Sequence, residues 1–372
     1  MPDQMIRIFL TADIGEAATA RLREHGYEIE VYPGSEAPPK SVIVDKVGSG
    51  IDVIITTLRD PIDEDVLRAG EGTLKLVAQF AVGFDNIDRD AANRYRIPFA
   101  NTPDVLTEAT AEFALFMLGA LSRRLYSSEK LVEENRWRSW HPYYPILGDE
   151  VTCKTVGIVG AGSIGKAFAK KCIGFDMSVL LFSPRGQHDN FVEYAQREMD
   201  LRFEAGFSRE RQAIAYVSFE GLLERSDYVS LHVPLLLEGA SNFPTRRLMS
   251  HKNLARMKRS AYLINTSRGQ VVDEDALYDA LINEVIAGAA LDVFETEPLP
   301  ADSPLRDPVL RDRLRLFHHF ASGTNETRLS IDPERGMAGR CVQTIIDLLE
   351  GSSKGDPARL PFVVNKEAFA KA

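Results

Sequence analysis

This sequence predicts an α/β protein of two doubly wound domains with parallel sheets, and three observations carry the prediction. The length of 372 residues suits two domains better than one. Short apolar, β-branched stretches alternate with helical ones in both halves, the pattern of a parallel sheet with helices on its faces. Near the middle of the chain, from Thr155, a strand runs directly into a glycine-rich turn and then a helix.

In chain order, Ile6 to Leu10 reads as a strand and Ile14 to His25 as a helix. Glu28 to Tyr32, Val53 to Thr57 and Leu74 to Gln79 read as further strands. From Thr107 a long helical segment runs through Glu112-Phe-Ala-Leu-Phe-Met-Leu-Gly-Ala-Leu121. It is apolar nearly all round, which predicts a helix buried between the domains. The glycine unit is Lys154-Thr-Val-Gly-Ile-Val-Gly-Ala-Gly-Ser-Ile-Gly165, with a strand over Thr155 to Val159 and a helix over Lys166 to Cys172. Strand, G-x-G-x-x-G and helix in that order are what a dinucleotide site needs. Gly160 permits the tight turn, Gly162 lets the backbone approach a pyrophosphate, and Gly165 lets helix and strand pack closely. The phosphates would sit on free N–H groups at the helix N-terminus. Later strands are expected at Ser178 to Phe182, Tyr228 to Leu231, Tyr262 to Ile264 and Ala287 to Leu291. Arg185 to Ala215 is polar and looks like an insertion, with helical spacing over Phe191 to Met199. Glu326 to Leu349 reads mainly as helix, despite Pro333 and Gly336.

Composition narrows the function classes. Hydrophobic residues make up 44% and charged residues 26%, as in an ordinary globular protein. A net charge of −10 disfavours nucleic acid as a partner, because phosphate binding needs a concentrated basic surface. Cys153, Cys172 and Cys341 are few, odd in number and without C-x-x-C spacing, which argues for a reducing compartment and against a cysteine metal site. The first ten residues are too acidic and too short in apolar length for a signal peptide. No apolar run approaches the ~20 residues of a membrane span. The expected location is the cytoplasm, with no metal and no membrane partner.

Three strand ends carry candidate chemistry. Leu263-Ile-Asn-Thr-Ser-Arg-Gly269 places Arg268 just beyond one strand. Gly288-Ala-Ala-Leu-Asp-Val-Phe-Glu-Thr-Glu-Pro298 places Asp292, Glu295 and Glu297 beyond another. Leu316-Phe-His-His-Phe-Ala-Ser322 places His318 and His319 after a strand-like stretch. Ligands of open α/β sheets bind beyond the carboxyl ends of the strands, so Arg, Glu and His are offered to one crevice.

With these motifs the sequence resembles the D-isomer-specific 2-hydroxyacid dehydrogenases, from about Leu74 to Leu349. The resemblance is also carried by Ala81-Val-Gly-Phe-Asp-Asn-Ile-Asp88, Asn101-Thr-Pro-Asp-Val-Leu-Thr-Glu-Ala-Thr-Ala-Glu112 and Leu231-His-Val-Pro234. The Asn101 segment looks most like the glyoxylate/hydroxypyruvate reductase branch. The resemblance implies two Rossmann-like/flavodoxin-like domains with the active site in the cleft between them. A discontinuous substrate domain would comprise residues 1–106 and 331–372, and the dinucleotide domain residues 107–330. It implies reduction of a small 2-oxo acid, glyoxylate or hydroxypyruvate, to the D-2-hydroxy acid. It puts the catalytic arginine on Arg268, the glutamate on Glu297 with Glu295 competing, and the acid on His319 with His318 as the alternative. The family histidine follows a proline, whereas here it follows His318.

The chemistry fits these residue types. A 2-oxo acid must gain hydride on carbon and a proton on oxygen, and a histidine of ordinary pKa ~6.5 can donate that proton near neutral pH. A glutamate on the other ring nitrogen fixes the ring and favours the imidazolium. An arginine fork can hold the carboxylate and polarise the carbonyl. The resemblance also implies that Val82 and Gly83 offer N–H groups to the substrate carboxylate, and that Leu58 and Trp140 help to shape the pocket. Cofactor contacts would come from Thr110, Gly160, Gly162, Ser163, Ile164, Gly165, Val233, Pro234, Thr266 and Asp292. A homodimer formed mainly by the nucleotide domains is implied, in which Trp140 is the candidate for reaching the partner's active site, the alternative being a tryptophan packed in its own subunit. The rival reading is a corepressor-like NAD(H)-binding protein on the same scaffold, or an enzyme for a bulkier 2-oxo acid.

Cofactor choice is read from the residues. NAD binders place an acid at the end of the second strand of the nucleotide unit, about 20 residues after the first glycine. Here that position, 23 residues after Gly160, is Ser183, followed by Pro184 and Arg185. Without the acid a 2′-phosphate is not repelled, and Arg185 can pair with it. The expectation is NADPH preferred over NADH. The alternative is that Arg185 points into solvent while Ser183 caps the turn.

Overall fold

The computed structural model describes residues 5–143, 145–187, 189–239, 241–351, 353 and 355–370. The chain forms two compact units, one of residues 1–106 and 322–372 and the other of residues 107–321. His188, within the insertion expected at 185–215, lies outside the described residues.

The first unit begins with β1 (Arg7–Leu10), α1 (Glu16–Glu24), β2 (Glu28–Val31), α2 (Lys40–Gly48) and β3 (Val53–Thr56). It continues through α3 (Glu64–Ala69), β4 (Leu76–Gln79), α4 (Arg89–Arg94) and β5 (Phe99–Ala100). The sheet order is β2-β1-β3-β4-β5, with every pairing parallel. This is the flavodoxin-like order. Strands β3 and β4 are buried at every residue, so their first three residues read as apolar runs rather than alternating ones, each ending in a buried polar residue.

The second unit opens on α5 (Thr107–Ser122) and α6 (Leu125–Glu133). There follow β6 (Thr155–Val159), α7 (Ser163–Gly174), β7 (Ser178–Phe182), α8 (Phe191–Glu204), β8 (Ile214–Tyr216), α9 (Phe219–Arg225), β9 (Tyr228–Leu231) and α10 (His251–Leu254). The last elements are β10 (Tyr262–Asn265), α11 (Glu274–Ile282), β11 (Gly288–Leu291) and β12 (Leu314–Leu316). The seven strands are ordered β12-β11-β10-β9-β6-β7-β8. All are parallel, and the order reverses between β6 and β9, as in a Rossmann-like sheet. The insertion forms α8 and β8. Helix α5 is not buried all round: Ala111, Ala114, Met117, Leu118 and Leu121 join the core with α7, but Phe116 is 66% exposed. An apolar composition therefore concealed an outward stripe.

The chain re-enters the first unit at Ser322, ahead of the Ile331 expected from sequence. The helix expected over Glu326 to Leu349 is two helices, α12 (Asn325–Arg328) and α13 (Met337–Leu349). Pro333 lacks an N–H, and a Cβ on Gly336 would lie 1.9 Å from the Ser330 carbonyl oxygen, so the chain turns sharply there. Helix α13 packs its Ala338, Val342 and Ile345 face with Leu10, Ile55 and Leu76 of the sheet.

Candidate active site

The glycine loop is shaped by three separate demands. Gly160 has φ 104°, a left-handed backbone, and a Cβ there would lie 2.6 Å from the His232 carbonyl oxygen. A Cβ on Gly165 would lie 2.1 Å from the Gly160 carbonyl oxygen, so helix α7 can start only against a bare backbone. A Cβ on Gly162 would meet nothing within 4 Å, leaving open space in front of the helix. Gly162 is the N-cap and supplies no side chain to the first-turn N–H groups. Ser163 is exposed and Ile164 half-buried. The Gly160 N–H donates to the Phe182 carbonyl (2.9 Å), which sets the loop beside the end of β7.

At that end Ser183 Oγ accepts from the Arg185 N–H (3.3 Å), and the Arg185 side chain is exposed. The serine closes a turn and leaves the guanidinium at the surface. Thr110, Val233 and Thr266 are buried and Pro234 is exposed. Thr266 Oγ1 after β10 and His232 Nδ1 after β9 are buried without a hydrogen-bond partner among the described residues. Burial pushes the His232 imidazole down to about 3, so it is neutral, and its Nε2 pairs with Ser230 Oγ at 2.9 Å. Two orphaned polar atoms, open space at Gly162 and an uncapped helix start fit a polar cofactor lying along this edge.

The Arg, Glu and His candidates lie beyond β10, β11 and β12, three adjacent parallel strands. His319 Nδ1 and Glu297 Oε2 are 2.7 Å apart. Glu297 Oε1 accepts from the Phe294 N–H at 3.0 Å. Burial works to raise the Glu297 carboxyl. The His319 hydrogen bond and charge, the Phe294 N–H and the Arg268 charge outweigh it and hold the group below the ordinary carboxylate range. The ionised carboxylate is thus the stable form beside the ring.

The competing residues are engaged elsewhere. Glu295 lies 3.4 Å from Arg247 Nε, and its N–H donates to Glu274 Oε1 (2.6 Å). His318 is exposed and stacks on Phe320, with ring centroids 5.2 Å apart. His319 has a left-handed backbone (φ 55°), and its N–H donates to the Asp292 carbonyl at 2.8 Å. The wholly buried Asp292 carboxylate accepts from the Phe320 (2.7 Å) and Ala321 (2.8 Å) N–H groups. Burial outweighs these two bonds and raises the Asp292 carboxyl above its ordinary value. In this geometry Asp292 hangs the histidine loop.

Sequence reasoning missed the residues that hold Arg268. Asn265 Oδ1 accepts from the Ser267 N–H (3.0 Å) and Oγ (2.7 Å), while its Nδ2 donates to the Arg268 carbonyl (2.9 Å). Arg268 itself donates from Nη1 to the Ser267 carbonyl at 2.7 Å. A Cβ on Gly269 would lie 1.8 Å from the Phe294 carbonyl carbon, so the arginine and glutamate loops touch backbone to backbone. An asparagine ending an apolar strand, with Ser two residues on, was the available signal.

Of the other candidates, Leu58, Val82 and Gly83 lie in the first unit after β3 and β4, all half-buried. The Val82 carbonyl accepts from Asn101 Nδ2 (2.7 Å) and the Gly83 carbonyl from Gln79 Nε2 (3.1 Å). Neither N–H donates to a protein acceptor among the described residues. Trp140 is 81% exposed, in a stretch of exposed residues between α6 and β6. Among the described residues no group of three or more His, Cys, Asp or Glu is placed to hold a metal, and no helix is long and apolar enough to cross a membrane.

Residues 115–321 match the family model of the D-isomer specific 2-hydroxyacid dehydrogenase NAD binding domain. The chain is 42% identical over 323 residues to a glyoxylate reductase of Korarchaeum cryptofilum, covering 87% of this chain and 88% of that one. It is 37% identical to a glyoxylate reductase of Thermococcus litoralis, covering 98% of each. The crystal structure of the TT0316 protein from Thermus thermophilus superposes with a TM-score of 0.79 at 34% identity, over 96% of this chain and all of that one. A nicotinamide-binding unit with this strand order, glycine loop and full-length kinship has one conclusion: the chain belongs to the D-isomer-specific 2-hydroxyacid dehydrogenase family.

Proposed function

We propose that the protein reduces a small 2-oxo acid, glyoxylate or hydroxypyruvate, to the D-2-hydroxy acid. The observation that carries the proposal is the 2.7 Å pairing of His319 with an ionised Glu297, one strand from the Arg268 loop. Full-length kinship to proteins named glyoxylate reductase supports the substrate class.

In this reading residues 107–321 hold the nucleotide and residues 1–106 with 322–372 supply the substrate carboxylate's site. A bound nicotinamide cofactor supplies the hydride. The glycine loop and the first turn of α7 hold its phosphates. Arg268 binds and polarises the substrate, and the Val82 and Gly83 N–H groups donate to its carboxylate. Nδ1 of His319 is committed to Glu297, so Nε2 delivers the proton to the carbonyl oxygen. Turnover of a panel of glyoxylate, hydroxypyruvate, pyruvate and bulkier 2-oxo acids tests the proposal. No turnover of any of them would sink it.

The cofactor reading is NADPH over NADH, and it rests on Ser183 at the position of the usual acid, since the exposed Arg185 over a turn closed by Ser183 is the geometry of the alternative. Ser183→Asp together with Arg185→Ala should swing the kcat/KM ratio toward NADH. A wild-type enzyme that already uses NADH as well as NADPH contradicts this reading.

The partner reading is a homodimer. Phe116, Leu125 and Phe175 are 66%, 56% and 48% exposed and line one apolar groove with Leu115, Leu118 and Val151. Such a patch is costly to leave in water. Trp140 is the candidate for reaching across. Light scattering at micromolar concentration should give twice the chain mass, and a monomer rules the idea out.

A further inference from the structure

The carboxyl edge of the five-stranded sheet carries a buried hydrogen-bond web, and two neutral amides join its halves. Gln79, the last residue of β4, is 1% exposed. Its Oε1 accepts from Thr56 Oγ1 at the end of β3 (2.6 Å). Its Nε2 donates to the Gly83 carbonyl (3.1 Å) and to Asn86 Oδ1 (2.8 Å). Asn86 Nδ2 in turn donates to the Thr57 (3.1 Å) and Asp60 (2.8 Å) carbonyls. Wholly buried Asp60 completes the turn, its Oδ2 accepting from the Thr57 N–H (2.6 Å), from Thr57 Oγ1 (3.0 Å) and from Thr11 Oγ1 (2.5 Å).

Both amides have each N–H and the carbonyl in use. Turning either over would set oxygen against carbonyl oxygen, so their orientations are fixed. The loop of Thr57 to Asp60 carries Leu58, and the loop of Phe80 to Asn86 carries Val82 and Gly83. The web makes the two loops one body.

We propose that Gln79 and Asn86 are positioning residues for the substrate carboxylate. They hold the Val82 and Gly83 N–H groups in fixed register with Leu58, so that the two loops recognise a small 2-oxo acid as a single element. This rests on the reading above that the Val82 and Gly83 N–H groups donate to the carboxylate.

Asn86→Asp keeps the shape and removes both donors to the Thr57 and Asp60 carbonyls. The KM for glyoxylate and the inhibition constant of oxalate should rise together, roughly tenfold for the loss of buried hydrogen bonds. The KM of the nicotinamide cofactor and the pH profile should stay put. Thr56→Val, a milder cut in the same web, should move both acid constants in the same direction by less, and keeps the test open if Asn86→Asp does not fold. A lowered Tm with unchanged acid constants in the folded variants overturns the proposal. If Arg268→Ala weakens glyoxylate binding while the web variants do not, the substrate reading stands and the web is merely structural. If the wild-type protein neither turns over glyoxylate nor binds oxalate, the substrate reading fails. Amide hydrogen exchange then decides the coupling: faster exchange in both loops together upholds it, and exchange confined to one loop ends it.

Discussion

His319→Ala should lower the turnover of 2-oxo acids by a factor of ~10² to 10⁴, the usual cost of a lost general acid. His318→Ala should leave most of it. The two histidines are neighbours in sequence, but only His319 has its Nδ1 on Glu297, while His318 is exposed and stacked on Phe320. The reverse result would move the acid by one position. Glu297→Gln separates the roles further. Its carboxylate is held below the ordinary range, so it stays an anion beside the ring through neutral pH. Glutamine keeps the hydrogen bond's geometry and removes the charge. The alkaline limb of the reduction profile, where the proton donor is lost, should therefore shift to lower pH. An unchanged limb would remove the electrostatic role of Glu297.

Gly269→Ala should be comparably damaging, although glycine has no chemistry to lose. The new methyl would lie 1.8 Å from the Phe294 carbonyl carbon and 1.9 Å from its oxygen, contacts that only a backbone shift can relieve. Overpacking of this kind costs about 1–3 kcal/mol when side chains can move, and here both partners are main chain. The shift separates the Arg268 loop from the segment whose Phe294 N–H holds Glu297. Lower thermal stability and lost turnover should appear together. A stable, active Gly269→Ala enzyme would mean that the two loops are not in backbone contact. Gly162→Ala is the control: its Cβ meets nothing, so the fold should persist while any effect falls on cofactor KM.

Much of the candidate site was legible because its parts are local. Two glycines of the loop answer steric demands within six residues and a third leaves open space before the helix, and each chemical side chain follows an apolar run that ends as a strand. The elements that escaped reading are short or tertiary. Strand β5 is two residues long, and helices α3 and α4 have six residues each, too few for a periodicity to show. Gln79 at the end of an apolar run reads as the polar cap of a strand, and nothing local announces that its amide ties two loops. Helix α5 was misread for the opposite reason: Phe116 supplies apolar character on the outward face, where burial cannot be inferred from hydropathy. The Pro333 and Gly336 signals were in the sequence, and the helix breaks where they stand.

The way Asp292 suspends the histidine loop bears on endurance at high temperature. Strand β12 is a three-residue strand at the rim of its sheet, the place where hydrogen exchange and fraying begin. Had His319 been fastened to β12 alone, each opening of that rim would displace its ring from Glu297. Instead its N–H and the two that follow are moored to one residue at the end of β11, an interior strand buried throughout. The position of His319 is therefore set by an interior strand, and fraying of the outer strand need not displace it.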